Sequence, residues 1–450
     1  MGVANGLTHE RPKGGAMPSS AARHRSIANI QRVYLPMSAR RLRWLGFFAW
    51  SRAKLWGLVL SLFTSGLTTF EGTDVNPRAM ATKVRLPDGP LIVVANHVSH
   101  VDSVALVSMI GRTRPVVLAA AADYWLQDAA SEYLSRGSIG IWPVRRDEGG
   151  WQDLEAAGEL VAAGVVLVVF AEGSRSRDGV VQEFHTGAFR LAAEIGPQVL
   201  PIAIAGSRDV MPVGATRPKR RPINLRLGRP RHVTSAEIDT AASQARAEIS
   251  ELLKSPTLNL PGREWQRIRK GAFSIAGLLI CFFWAVGEGI SWPLVAEMPL
   301  MLFVVTVGLR WRGLLIISTS ALGSAVGIIT NWWLVQQGIH APSPLTADLM
   351  FEVARNQLLT HPDTAFWAQM WNGIPVKVYA AEAGRAHIPF DQLVVALVPR
   401  MLRIFILGTG TWLLGGLLSR WLKPCLGFVQ GTSLAMFPIG LWWAFQYWQS

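Results

Sequence analysis

Four short blocks in the middle of the chain combine residue types that can do chemistry. The first is Asn96-His97-Val98-Ser99-His100-Val101-Asp102. A carboxylate on one imidazole nitrogen fixes the tautomer and leaves the other nitrogen as a base near neutral pH. On a regular helix His97 and Asp102 would point about 140° apart. They can meet if His97 lies on a strand-to-helix turn and Asp102 in the first helical turn, where the helix dipole also favours a carboxylate. The same residues spell a capping box, with Ser99 as N-cap and Asp102 three residues on. His100 is a rival base, although it stands only two residues before Asp102.

The second block, Gly140 to Arg146, ends a strand-like run in paired arginines. A guanidinium there can grip a phosphate bidentately, or can simply be a solvated strand end. The third is Phe170-Ala171-Glu172-Gly173-Ser174-Arg175-Ser176. It brings an acid, a glycine and an arginine to a strand C-terminus, where α/β sheets place their ligands. Gly173 permits a tight turn, and the bland alternative is an ordinary Gly/Ser turn with an exposed ion pair. The fourth, Val199-Leu200-Pro201-Ile202-Ala203-Ile204, reads by itself as a buried strand.

Stepping outward, these blocks sit on a series of short apolar runs. Leu91–Ala95, Val116–Ala119, Ile139–Val144, Val165–Phe170 and Val199–Ala205 have strand length and are rich in Val and Ile. An amphipathic helix is predicted over Trp151–Ala163. Alternating strands and helices imply a parallel or mixed sheet flanked by helices. A basic block with Arg217, Lys219, Arg220, Arg221, Arg226, Arg229 and Arg231 follows.

The flanks differ in character. Apolar residues are 50% of the 450-residue chain and charged residues 16%, below the roughly 25% of ordinary soluble domains. Net charge is +14, which points to anionic lipid, phosphorylated substrate or nucleic acid. Residues 1–42 read as a basic tail and 43–84 as a helical segment at a membrane interface. A secretory leader does not fit, because no uninterrupted apolar core follows closely. The α/β unit takes 85–254 and a linker 255–270. Residues 271–450 then read as a polytopic helical membrane domain of five spans: 271–287, 292–309, 313–346, 404–419 and 424–450. Between them, 345–403 is mixed, either a loop or a re-entrant segment. Arg267, Arg269 and Lys270, Arg310 and Arg312, and Arg420 and Lys423 would all face the cytoplasm under the positive-inside rule. The two cysteines, Cys281 and Cys425, lie in apolar runs and form neither a disulfide framework nor a zinc pattern.

Taken in order, the four blocks resemble the lysophospholipid acyltransferase (PlsC-like) family over residues 85–232. The family's N-H-x4-D block matches Asn96, His97 and Asp102. Its G-x5-R block matches Gly140 and Arg146. Its F-P-E-G-T-R block matches Phe170 to Arg175, with Ala171 for proline and Ser174 for threonine. The resemblance implies an α/β acyltransferase domain that moves an acyl chain from acyl-CoA or acyl-carrier protein to a lysophospholipid hydroxyl, with lysophosphatidate the default acceptor. His97 would be the general base and Asp102 its orienting partner. Arg146, Glu172, Gly173, Ser174 and Arg175 would hold the acceptor. No metal and no bound cofactor is expected, and the thioester is a co-substrate. The partners would be anionic membrane lipid and the two substrates. Nucleic acid is not expected, as no stacking motif or groove-reading helix is present. The implied location is the cell inner membrane, with the catalytic domain cytoplasmic.

A second resemblance lies in Trp371-Asn372-Gly373-Ile374-Pro375-Val376-Lys377-Val378-Tyr379, Ala383-Gly384-Arg385, Pro389-Phe390, Pro399-Arg400 and Arg403. These residues are similar to the core of the DedA-like VTT (SNARE-associated) membrane family. That likeness implies lipid movement between leaflets, with Lys377, Glu382, Arg385 and Arg400 as candidate functional charges. It keeps open the alternative of a lipid transporter or scramblase with an accessory acyltransferase domain. An acceptor other than a glycerolipid, such as an ornithine-lipid precursor, is also open.

Overall fold

The structure is a computed structural model. It describes residues 20–72, 85–125, 137–146, 150–261, 263–293, 295–361 and 364–449. The first part of the expected basic tail, the end of the expected interfacial segment (73–84) and Ser450 lie outside the described residues. The chain divides into two compact units, Met1–Leu260 and Pro261–Ser450.

In the first unit, seven described strands form one sheet: β1 Leu67–Glu71, β2 Leu91–Ala95, β3 Val116–Ala121, β4 Ile141–Val144, β5 Val166–Phe170, β6 Gln198–Ala205 and β7 Ile223–Leu227. Their order is β1-β7-β6-β2-β5-β3-β4. All neighbours are parallel except β6 and β7, so the sheet is mixed, as expected. Parallel strands covered on both faces read as unbroken apolar runs, and β2 is buried at every position. The pleat divides those residues between two cores. Ile92, Val94 and Leu167 face one core with Leu160, Phe189 and Ile249. Leu91, Val93, Val166 and Val168 face the other with Leu106, Val107 and Ile110.

Two strands were not expected. β7 lies inside the basic block, and its Arg226 is fully buried, donating to the Leu252 and Pro256 carbonyls. β1 lies in the segment read as interfacial and pairs with β7 from Leu67↔Ile223 to Glu71↔Leu227. The expected helix over 151–163 is two short helices, Gly150–Ala156 and Gly158–Ala162. The expected tail also contains a helix, Ser20–Tyr34, whose Ile27, Ile30 and Tyr34 are buried in the first core. The next helix, Ala39–Phe63, buries Ala49, Arg52, Ala53 and Leu60 but exposes Trp44, Phe47, Phe48, Trp50, Leu55, Leu62 and Phe63.

The second unit is helical. Two described helices are long and apolar enough to cross a membrane: Arg312–Gln336 and Phe390–Leu426, the latter part of the helix Phe390–Gln449. The pair Trp265–Ala272 and Ile275–Ile290, bent by 83°, would make a third if it is one span. By length and composition, the described helices therefore offer two or three candidate spans where hydropathy alone suggests five. Glu297–Val307 has 11 residues, about 16 Å of helix against a hydrocarbon core of about 30 Å. The last two expected spans, 404–419 and 424–450, fall in one helix, Phe390–Gln449, which continues through Pro424 at their junction. A proline removes one backbone donor without having to end a helix that neighbouring bonds hold. The mixed segment 345–403 carries the helices Asp348–Thr360, Ala365–Ala368 and Val376–Arg385 and the start of the long helix. Ile275–Ile290 and Arg312–Gln336 pack backbone to backbone. A Cβ on Gly327 would stand 2.4 Å from the Val286 carbonyl oxygen.

This unit also buries charge. Arg400 is enclosed, bonding Glu288, Glu297 (3.2 Å) and Ser324 Oγ (3.1 Å). Arg403 reaches the same Glu297 at 3.4 Å. The buried Lys377 donates to the carbonyls of Ser291 (3.1 Å) and Pro344 (2.8 Å), and the buried Glu382 pairs with Arg355 and Arg385. Arg269 and Arg310, from the first two basic clusters, both lie over the Phe273 ring at 5.6 and 5.7 Å.

Candidate active site

β2, β5, β3 and β4 are parallel neighbours, so their C-terminal ends form one continuous edge. Each of the first three sequence blocks leaves the sheet there. At the end of β2 the Asn96 side chain continues the ladder in place of backbone. Its Nδ2 donates to the Ile204 carbonyl at 3.2 Å, and its Oδ1 accepts from the Ile204 N–H at 2.7 Å. That fixes the exit of the chain just before His97.

His97 Nδ1 lies 3.0 Å from Asp102 Oδ2, and Asp102 is fully buried. The same oxygen accepts the backbone N–H groups of Val98 (2.7 Å) and Ser99 (2.8 Å). Burying a carboxylate is costly unless hydrogen bonds replace its water, and here three donors converge on one oxygen. Asp102 stands in the first turn of the helix Val101–Ile110. Its bond to the Ser99 N–H is half of a capping box, so the structural and chemical readings of this block coexist. With Nδ1–H given to Asp102, Nε2 of His97 carries the free lone pair. The imidazole lies flat on Phe170, with centroids 3.9 Å apart and planes at 10°, so its plane is set from both sides.

Glu172 is buried, and both its oxygens are taken by backbone. Oε1 accepts from the His97 N–H (2.7 Å) and Oε2 from the Gln182 N–H (2.9 Å). Burial raises its pKa above the ordinary carboxylate value, opposed by those two hydrogen bonds. The Ser176 N–H returns a bond to the His97 carbonyl at 2.8 Å. The turn between them depends on Gly173, at φ +71°, where a Cβ would also collide with the His185 ring. Ser174 is exposed at the tip. Arg175 is half-buried, and its Nη1 meets Nε2 of His100.

The paired arginines after β4 separate into two roles. Arg145 grips the buried Asp153 with Nε (2.8 Å) and Nη2 (3.0 Å) and holds that block in place. Arg146 faces solvent and reaches Asp123 at 3.2 Å, with side chains 46% and 40% exposed. Arg146 stands three strands from β2, about 14 Å along the edge at ordinary strand spacing. Between them lies a group that the sequence reading missed: Asp123 and Tyr124, on the short helix Ala122–Trp125 directly after β3. The strand-end rule that singled out the other blocks would have found it, but the four alanines before Asp123, Ala119 to Ala122, gave no motif to notice. Among the described residues, no group of three or more His, Cys, Asp or Glu side chains is gathered as metal ligands.

The family model described as Acyltransferase matches residues 69–205. The chain is 28% identical over 207 residues to a chloroplastic 1-acyl-sn-glycerol-3-phosphate acyltransferase of Arabidopsis thaliana, covering 44% of this chain and 52% of that protein. It is 30% identical over 171 residues to a chloroplastic counterpart from Brassica napus, covering 36% and 44%. The chain thus spans about half the length of the curated relatives it matches. A crystal structure of the 1-acyl-sn-glycerophosphate acyltransferase PlsC from Thermotoga maritima aligns with 97% of its length and 52% of this chain, at 20% identity and a TM-score of 0.34. The family match lies within the mixed sheet and spans His97, Asp102, Arg146 and Glu172 to Arg175, so the likeness to an acyltransferase domain falls on the sheet edge that carries them.

Proposed function

We propose that the protein is a membrane-associated acyltransferase that esterifies the free hydroxyl of lysophosphatidate from an acyl thioester. The observation that carries this is the His97–Asp102 pair, 3.0 Å apart, on the same strand edge as Arg175 and Arg146. A hydroxyl is a weak nucleophile until a base takes its proton in the transition state. Nε2 of His97 accepts that proton while the oxygen attacks the thioester carbonyl. The tetrahedral intermediate collapses with cleavage of the C–S bond, and the imidazolium returns the proton to the leaving thiolate. Asp102 stabilises the imidazolium between these steps. Arg175 and Arg146 face the acceptor's phosphate, whereas Glu172 acts through the backbone that it ties to His97. The exposed aromatic residues of the helix Ala39–Phe63, with Arg40, Arg41, Arg43 and Lys54, suit an anionic membrane surface. Acyl-CoA and acyl-carrier protein are both open as donors.

The test is acyl transfer by the purified full chain against a panel of lysolipids, with both donor types. Preference for a phosphate monoester acceptor supports the reading, and transfer only to an acceptor lacking phosphate overturns it. The enclosed Arg400–Glu288–Glu297 cluster favours a second activity for the unit Pro261–Ser450, the movement of lipid between leaflets. A fluorescent-lipid leaflet-exchange assay in proteoliposomes decides that point separately.

A further inference from the structure

His100 was a rival base by sequence, but its surroundings give it different work. It lies at the N-terminal end of the helix Val101–Ile110, one strand end away from Arg175. Its Nε2 meets Arg175 Nη1 and also lies 3.3 Å from the Tyr124 hydroxyl. The Tyr124 ring stacks on the imidazole, with centroids 6.0 Å apart and planes at 25°. The Arg175 guanidinium stands 5.7 Å from the same ring's centroid, in cation–π range. Two residues, His100 after β2 and Tyr124 after β3, therefore converge on the guanidinium that Arg175 carries from the end of β5.

An arginine has no acceptor atom, so its partner at Nε2 must offer a lone pair. A protonated imidazole has none, and would repel the arginine. Burial and the Arg175 charge lower the His100 pKa to about 4, so the ring is neutral in the range where an imidazole base works. Its only acceptor nitrogen then faces Arg175, and Nε2 is not free to take a proton from a hydroxyl. His97 differs: its Asp102 bond uses Nδ1 and leaves Nε2 open.

We propose that His100 and Tyr124 are positioning residues that hold the Arg175 guanidinium toward the acceptor's phosphate. This rests on the function proposed above. His100 and Tyr124 together orient a long side chain that would otherwise lose affinity to its own rotamer freedom. The cluster thereby acts on acceptor affinity and not on the chemical step.

The experiment measures acceptor and donor KM and kcat for the full chain in anionic mixed micelles, with lysophosphatidate as acceptor. His100→Ala should raise the acceptor KM about 10-fold, the scale of one hydrogen bond to a charged group, with kcat changed less than about 2-fold. His100→Asn keeps a neutral acceptor atom and should restore most of the loss. His100→Lys should be as damaging as Arg175→Ala. Tyr124→Ala should raise KM more than Tyr124→Phe, which keeps the ring. The double variant His100→Ala/Arg175→Ala should match Arg175→Ala alone. Strict additivity in that cycle, or a loss in kcat with acceptor KM unchanged, overturns the proposal while leaving the acyltransferase reading in place. A wild-type chain that neither binds nor acylates lysophosphatidate overturns the reading and the proposal together.

Discussion

The sheet edge and the Arg400 cluster of the helical unit both bury charged side chains, and they complete the bonding of those charges differently. At the sheet edge, Asp102 Oδ2 and both oxygens of Glu172 accept mainly from backbone N–H groups, which are fixed by the fold. The side chains hung on them keep a valence facing outward: Nε2 of His97, and the remaining guanidinium donors of Arg175. In the helical unit, Arg400 is enclosed by Glu288, Glu297 and Ser324. There the partners are side chains, and the cluster closes on itself. At the sheet edge the backbone-held Asp102 leaves Nε2 of His97 presented, whereas Arg400 spends its guanidinium on carboxylates within the helical unit.

The largest effect should come from opening the closed cluster. Arg400→Ala strands the buried Glu288 and leaves Glu297 to Arg403 alone, and should cost the helical unit about 3–5 kcal/mol, read as a fall in the detergent denaturation midpoint of the full chain. A loss below about 1 kcal/mol would show that the cluster is hydrated and dissolve the contrast. Next, His97→Ala should slow turnover by about 100-fold or more without a comparable loss of stability, and Asp102→Asn should be nearly as damaging. Near-normal turnover in a folded His97→Ala protein would remove the edge from catalysis.

The adjacent arginines repeat the same contrast on a smaller scale. Arg145→Ala abandons the buried Asp153 and should destabilise by about 2 kcal/mol. Arg146→Ala breaks an exposed pair, should cost under about 1 kcal/mol, and should instead raise the acceptor KM. The reverse pattern would exchange their roles. The smallest effect is on pH. The folded pKa of His100 lies below its ordinary 6.5, at about 4, with Arg175, His97, Asp102 and Tyr124 as its neighbours. The unfolded chain therefore binds the proton first, and stability is lost as pH falls from 6.5 through 4. Activity surviving a heat challenge, assayed afterwards at one common pH, should fall more steeply over that window in the wild type than in His100→Asn. Parallel curves would mean that the imidazole's burial has no energetic consequence.

Much of this edge could be read from residues alone. Strands covered on both faces announce themselves as apolar runs, so β2, β3, β5 and β6 were predicted within two residues. The pairing of His97 with Asp102 was open to turn geometry, beside the capping-box reading of the same residues. The missed elements share a cause, which is that tertiary partners overrode local character. β7 carries Arg226, which is tolerable in a strand only because the Leu252 and Pro256 carbonyls receive it. β1 looked like the end of a membrane-facing helix until β7 existed to pair with it. Glu172 carried the right residue type but has its oxygens committed to backbone, and no spacing rule distinguishes that from a substrate contact. In the helical unit, hydropathy located apolar sequence but not helix ends, because prolines and arginines that look like breaks are absorbed in a continuous helix.

The reversal of β1 and β7 relative to β2 has a further consequence. Because β1 runs opposite to β2, its first residue, Leu67, lies at the sheet edge that carries His97, opposite Ile223. The helix Ala39–Phe63 reaches that strand through Thr64–Gly66 alone, so its exposed Leu62 and Phe63 end beside the edge. On the proposed function, an acceptor dissolved in the bilayer would then reach His97 by lateral diffusion, without partitioning into water. The relevant concentration is two-dimensional. Turnover should follow the mole fraction of lysolipid in the surface, and inert diluting lipid should slow the reaction even when the bulk amount of acceptor is unchanged.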